Sequence, residues 1–112
     1  METLKYPTHQ IKLYLSGPIE VAKQVVRKFC FYQGLCVTVE PTTYIYTGGE
    51  EQGYVVGLLN YPRFPSHPRG LEETADRLAI TLLEQTYQKS VLIVGPDESK
   101  WLSVHDEAGV GK

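Results

Sequence analysis

The stretch from Leu35 to Tyr61 does most to limit what this chain can become. Two β-rich runs flank a double glycine. Leu35, Val37 and Val39 alternate with Cys36, Thr38 and Glu40, and Thr42-Thr43-Tyr44-Ile45-Tyr46-Thr47 continues in residues that favour strands. Gly48 to Gly53 is a turn by composition, and Tyr54 to Tyr61 reads as the returning strand. Together they make one long β-hairpin. Pro41 cannot donate to a ladder, so it marks a bend, a bulge or an edge. Gly57, inside the returning run, marks a bulge or a close backbone approach.

The flanking segments supply the rest of a sheet and its cover. Ile11, Leu13 and Leu15 alternate with Lys12, Tyr14 and Ser16, the period of a strand with one buried face. Ser16-Gly17-Pro18 ends it, with Pro18 suited to the first helical position and Ser16 placed to help cap the start. From Pro18 to Gln33, Ala22, Val25, Val26, Phe29 and Cys30 recur at helical spacing, and Gly34 fits the position after the helix end. Pro62 to Pro68 holds three prolines and is a stiff connector. A second helix follows, with Leu71, Ala75, Leu78, Ala79, Leu82, Leu83 and Thr86 on one stripe and Ile80 on the polar side. Val91-Leu92-Ile93-Val94 is a short strand of the kind buried on both faces. Trp101 to Val104 offers one more.

The order strand, helix, strand, strand, helix, strand predicts an α+β sandwich of the ferredoxin-like βαββαβ type. An antiparallel sheet carries two helices on one face and a long hairpin between its second and third strands. We expect an N-terminal arm over 1–10, a single domain over 11–104 and a disordered tail over 105–112. The other face of the sheet, with Lys12, Tyr14, Thr38 and Glu40, is left open. The chain has 112 residues, 42% hydrophobic, enough for one modest core and no more. Eleven basic against thirteen acidic residues give a net charge of -2, which excludes a strongly basic footprint for extended nucleic acid. No apolar run is long enough to span a membrane, and the first residues lack a secretory signal. Two cysteines, Cys30 and Cys36, are too few for a disulfide framework, so the expected compartment is the cytoplasm.

Two resemblances bear on function. The order of elements, the hairpin with Tyr44-Ile45-Tyr46 and the acidic turn from Gly48 to Gly53 resemble the trimeric CutA and PII-like proteins. That implies assembly through the hairpins and small-ligand sites between subunits. Locally, Leu13-Tyr14-Leu15-Ser16-Gly17-Pro18-Ile19 and Glu51-Gln52-Gly53-Tyr54 are similar to segments of nucleoside deoxyribosyltransferase-like proteins. There the first loop approaches a nucleotide's sugar or phosphate, and the matching glutamate, here Glu51, is the nucleophile. In that family the second segment opens a helix, whereas here Tyr54 onward reads as strand.

Taken singly, Glu50 and Glu51 are either a catalytic carboxylate pair or a solvated loop tip. His9, His67 and His105 show no ligand spacing, so neither a metal site nor a cofactor is expected. Arg63, His67 and Arg69 cluster with Tyr61 and Phe64 at a helix start, where anion- or nucleotide-binding groups converge. The plainer alternative pairs the arginines with Glu72 or Glu73. Tyr44, Tyr46, Tyr54, Ile80 and Trp101 are the candidate interface residues, tyrosines being suited to surfaces that bury a ring and keep a hydroxyl bonded. The leading expectation is a non-enzymatic homo-oligomer, dimer or trimer, that binds a small anionic molecule or nucleotide. A phage protein sequestering a host signalling nucleotide would have such features. The rivals are a deoxyribosyltransferase-like enzyme using Glu51 and a protein-interaction module with a protein partner.

Overall fold

The computed structural model describes residues 1–104. Seven elements follow in order: β1 (Gln10–Ser16), α1 (Ile19–Gln33), β2 (Val37–Tyr46), β3 (Gly49–Leu59), α2 (Pro68–Gln85), β4 (Ser90–Val94) and β5 (Ser99–Ser103). The five strands form one antiparallel sheet in the order β2-β3-β1-β4-β5. The first four strands and both helices are the expected ferredoxin-like unit, and β5 adds an edge. The expected tail at 105–112 lies outside the described residues, as does His105.

Local chemistry sets the element ends. Pro18 is the N-cap of α1 and has no side-chain cap, so Ser16 does not serve as expected and the first helical residue is Ile19. Gly34 closes α1 in the left-handed conformation at φ 69°, its N–H donating to Cys30 O at 2.9 Å. His67 caps α2, its Nδ1 accepting from the Arg69 N–H at 3.3 Å, with Pro68 as the first helical residue. Asn60 ties the N-terminal arm to the proline-rich connector. It donates from Nδ2 to Pro7 O at 2.8 Å and from its backbone to His9 O at 3.1 Å, and it accepts from Ser66 N–H at 2.9 Å.

The core lies between one sheet face and the helices. Ile11, Leu13 and Leu15 of β1, Val56 and Leu58 of β3, and Val91 and Ile93 of β4 pack against Ala22 and Val26 of α1 and the α2 stripe from Leu71 to Leu83. Each fully buried leucine here contributes roughly 1.5–3 kcal/mol. Two expectations for the strands need correction. The β2–β3 turn is only Thr47-Gly48, with Gly48 at φ 90°, and pairing resumes at Tyr46↔Gly49. The composition of Gly48 to Gly53 suggested a longer turn, but cross-strand pairing to Thr42–Tyr46 holds it extended. And β4 is buried on one face only, since Leu92 and Val94 lie half-buried on the open side.

Tyr54, expected at an interface, is 1% exposed and part of the core. Its register partner across β1 is Leu15, which faces inward, so Tyr54 faces inward with it. Its buried hydroxyl has no well-formed hydrogen bond. Burial pushes its pKa up, and the nearby Thr86 side chain pulls it partly back. Tyr54→Phe removes this orphan and should leave stability unchanged or raise it by up to about 1 kcal/mol, read as a shift in thermal melting. A clear drop would mean that the hydroxyl is satisfied.

Candidate functional site on the open sheet face

Alternation along each strand decides what the open face presents. With Leu13 and Leu15 inward, Lys12, Tyr14 and Ser16 point outward. Register then lines up their neighbours. Glu40, Val55, Tyr14, Leu92 and Trp101 form one row across all five strands. Thr42, Gly53 and Ser16 form the next, and Tyr44 faces Glu51 beyond it. Part of this face forms a cleft of about 310 Å³ lined by Tyr14, Leu15, Ser16, Tyr44, Glu51, Ser90, Leu92 and Trp101.

Gly53 makes the cleft possible. The Tyr44 ring crosses over it, so that a Cβ on Gly53 would lie 2.5 Å from Tyr44 Cε2 and 2.3 Å from Leu15 O. Reaching past β3, the Tyr44 hydroxyl donates to Leu15 O at 2.9 Å. Burial is the main cause that raises the Tyr44 pKa, followed by the nearby Tyr14, Glu51 and Tyr54. The hydroxyl therefore stays protonated, as a donor must. Trp101, at 65% exposed, offers an unpartnered indole on the far wall.

Glu50 and Glu51 are separated by the strand itself. Because β3 begins at Gly49, neighbouring residues point to opposite faces. Glu51 alone lines the cleft, so the two carboxylates do not act as a pair on one substrate. Glu51-Gln52-Gly53-Tyr54 is mid-strand, which departs from the helix start of the deoxyribosyltransferase pattern.

The other expected cluster is dispersed. Tyr61 and Phe64 pair in an isolated bridge, Phe64 N–H donating to Tyr61 O at 2.8 Å. Phe64 and His67 line a hollow of about 230 Å³ with Gly34, Gly70 and Thr74, and neither Arg63 nor Arg69 belongs to it. Among the described residues neither arginine forms an ion pair, with Glu72 and Glu73 or otherwise. His67 is occupied as a helix cap. Of the candidate interface residues, Tyr44 and Trp101 belong to the cleft, whereas Tyr46 and Ile80 are exposed elsewhere. Sequence reasoning missed Tyr14 and Gly53 as site residues. The signal for Tyr14 was available in the alternation of β1; that for Gly53 was not.

A second hollow lies on the same face. It has a volume of about 470 Å³ and is lined by Thr8, His9, Gln10, Lys12, Tyr14, Val94, Gly95 and Pro96. Tyr14 is common to both. No group of three or more metal-ligating side chains occurs among the described residues, and no helix there is long and apolar enough to cross a membrane.

No protein-family model and no curated protein sequence matches the chain. Two solved structures are similar in fold. One is a phage SAM lyase in complex with S-methyl-5'-thioadenosine, with TM-score 0.72 at 14% identity, over 93% of this chain and 95% of that one. The other is a phage SAM lyase in the apo state, with TM-score 0.68 at 16% identity and the same coverage. The ferredoxin-like topology expected from the order of elements stands, but the structures that share it are of a lyase. This overturns the expectation of a non-enzymatic binder, and the transferase and interaction-module alternatives gain nothing from it.

Proposed function

We propose that the chain is an enzyme that cleaves S-adenosylmethionine in the Tyr44–Glu51–Trp101 cleft, releasing S-methyl-5'-thioadenosine. The observation that carries this reading is the cleft itself, on a fold shared with a phage SAM lyase over 93% of the chain. Its volume of about 310 Å³ is at the small end of the usual range for ligand sites. Tyr14, Tyr44 and Trp101 suit an adenine ring and a sulfonium, through stacking and cation–π attraction. Glu51 suits the ribose hydroxyls, which donate to a carboxylate.

The chemistry fits an aromatic cleft. Cleavage breaks the bond between sulfur and the γ-carbon of the amino-acid arm, and the electron pair stays on sulfur. The sulfonium becomes a neutral thioether. The γ-carbon takes its electrons from within the arm, by ring closure of its own carboxylate to a lactone or by formation of a Cβ=Cγ double bond as the β-carbon gives its proton to solvent, so no water is added. Positive charge disappears along the way. Ring faces attract the sulfonium less strongly than an adjacent carboxylate would, so less stabilisation of the bound substrate is lost as that charge disappears.

Assembly belongs to the same proposal. Beyond Gly53 the hairpin leaves the sheet as a two-stranded ribbon, with Ile45 at 78% and Tyr46 at 55% exposure. Packing of two or three copies through it would roof a cleft that one copy leaves open.

The decisive experiment is incubation of the purified protein with S-adenosylmethionine, with products read by liquid chromatography and mass spectrometry. Protein-dependent release of S-methyl-5'-thioadenosine above the spontaneous rate is the expected result. Release no faster than in buffer would refute the reading. Light scattering on the same sample should give a dimer or trimer mass; a monomer mass would remove the assembly alone.

A further inference from the structure

The open face has a polarity that the proposed reaction does not use. Tyr14 is the shared wall of two hollows with opposite charge character. On one side the charged lining residue is Glu51, with no basic side chain. On the other the lining carries Lys12 and His9, with no acidic side chain. Lys12 lies on the outward side of β1, next to Gly57 on one neighbouring strand and Val94 on the other, and among the described residues it has no ion-pair partner. Ser16, Tyr14 and Lys12 follow one another along β1, and two residues of strand advance about 6.8 Å, so its outward side from Ser16 to Lys12 spans about 14 Å. A ligand lying along it has a nucleoside-sized aromatic hollow at one end and a lone ammonium at the other.

We infer that Lys12 holds the carboxylate of the substrate's amino-acid arm, making the Lys12 hollow the subsite that selects an α-amino acid over an amine of the same length. This assignment rests on the proposed reading of the Glu51 cleft and extends it. A carboxylate accepts a charge-assisted hydrogen bond from a lysine ammonium. Thr8 and Gln10, on the same lining, add further polar groups. The nucleoside stays on the other side of Tyr14 and makes no contact with Lys12.

Binding of two uncleavable ligands separates the claims. S-adenosylhomocysteine keeps the carboxylate, whereas S-methyl-5'-thioadenosine has no amino-acid arm. By titration calorimetry, Lys12→Ala should weaken S-adenosylhomocysteine about tenfold and leave S-methyl-5'-thioadenosine within about twofold, with Lys12→Arg restoring most of the loss. Wild type should also bind decarboxylated S-adenosylhomocysteine about tenfold more weakly than the parent, a preference that Lys12→Ala erases. Lys12 is exposed, and circular dichroism verifies that the variants fold. If Lys12→Ala weakens both ligands equally, or neither, the assignment of Lys12 is wrong and the cleft reading survives. If wild type binds neither ligand, the cleft reading falls and this subsite with it.

Discussion

Gly53→Ala should destabilise the protein by about 1–3 kcal/mol and abolish ligand binding in the cleft, although it adds a single methyl group. That methyl would sit 2.3 Å from Leu15 O and 2.5 Å from the Tyr44 ring, and 3.1 Å from Ser16 Cα. Two of these obstacles are backbone atoms of the central strand β1, which cannot swing aside as a flexible side chain would. The ring must therefore leave, breaking its 2.9 Å hydrogen bond to Leu15 O and removing one wall of the cleft. Urea denaturation reads the stability and calorimetry with S-methyl-5'-thioadenosine reads the wall. Gly70→Ala is the matched control. Gly70 lies within α2 with nothing near its would-be Cβ, and alanine there should stabilise the helix by roughly 0.5–1 kcal/mol. If both substitutions behave alike, the Tyr44 ring is not held over Gly53.

The second large effect concerns Glu51. Glu51→Ala should weaken S-methyl-5'-thioadenosine by about 10- to 100-fold, the worth of losing hydrogen bonds to an ionised acceptor, roughly 1.5–3 kcal/mol. Stability should hardly change, because the side chain is exposed. Turnover at saturating S-adenosylmethionine should fall much less than affinity. A carboxylate that holds sugar hydroxyls contributes equally to bound substrate and transition state, and so appears in KM rather than kcat. Glu50→Ala, on the opposite side of the same strand, should leave both unchanged. A collapse of kcat with KM intact would instead place Glu51 at the reacting atoms.

The elements were legible wherever burial alone decides them. The α2 stripe from Leu71 to Leu83 and the β1 alternation both proved to be core. Harder to read were features fixed by register. The Gly-Glu-Glu-Gln-Gly stretch has turn composition, yet ten consecutive pairs from Val37↔Leu58 to Tyr46↔Gly49 hold it extended. That context overrides local propensity. It also fixes the parity of β3, which sends Glu51 outward and Tyr54 inward, and neither follows from the local run of residues. The cleft was less legible still. It draws Tyr14, Tyr44, Glu51, Ser90 and Trp101 from five strands, so no spacing along the chain announces it. The Arg63/His67/Arg69 grouping drew attention because it is contiguous in sequence, and contiguity did not bring the two arginines to the hollow that His67 lines.

The layout of β1 carries a consequence for how its two ends would work together. At physiological ionic strength electrostatic influence fades over about 8 Å, less than the roughly 14 Å of strand between Ser16 and Lys12. Carboxylate and ammonium are thus two independent handholds and not a single dipole. Losses from altering each should simply sum, and raising salt should loosen the Lys12 ion pair while leaving the Glu51 hydrogen bonds to uncharged sugar hydroxyls nearly intact.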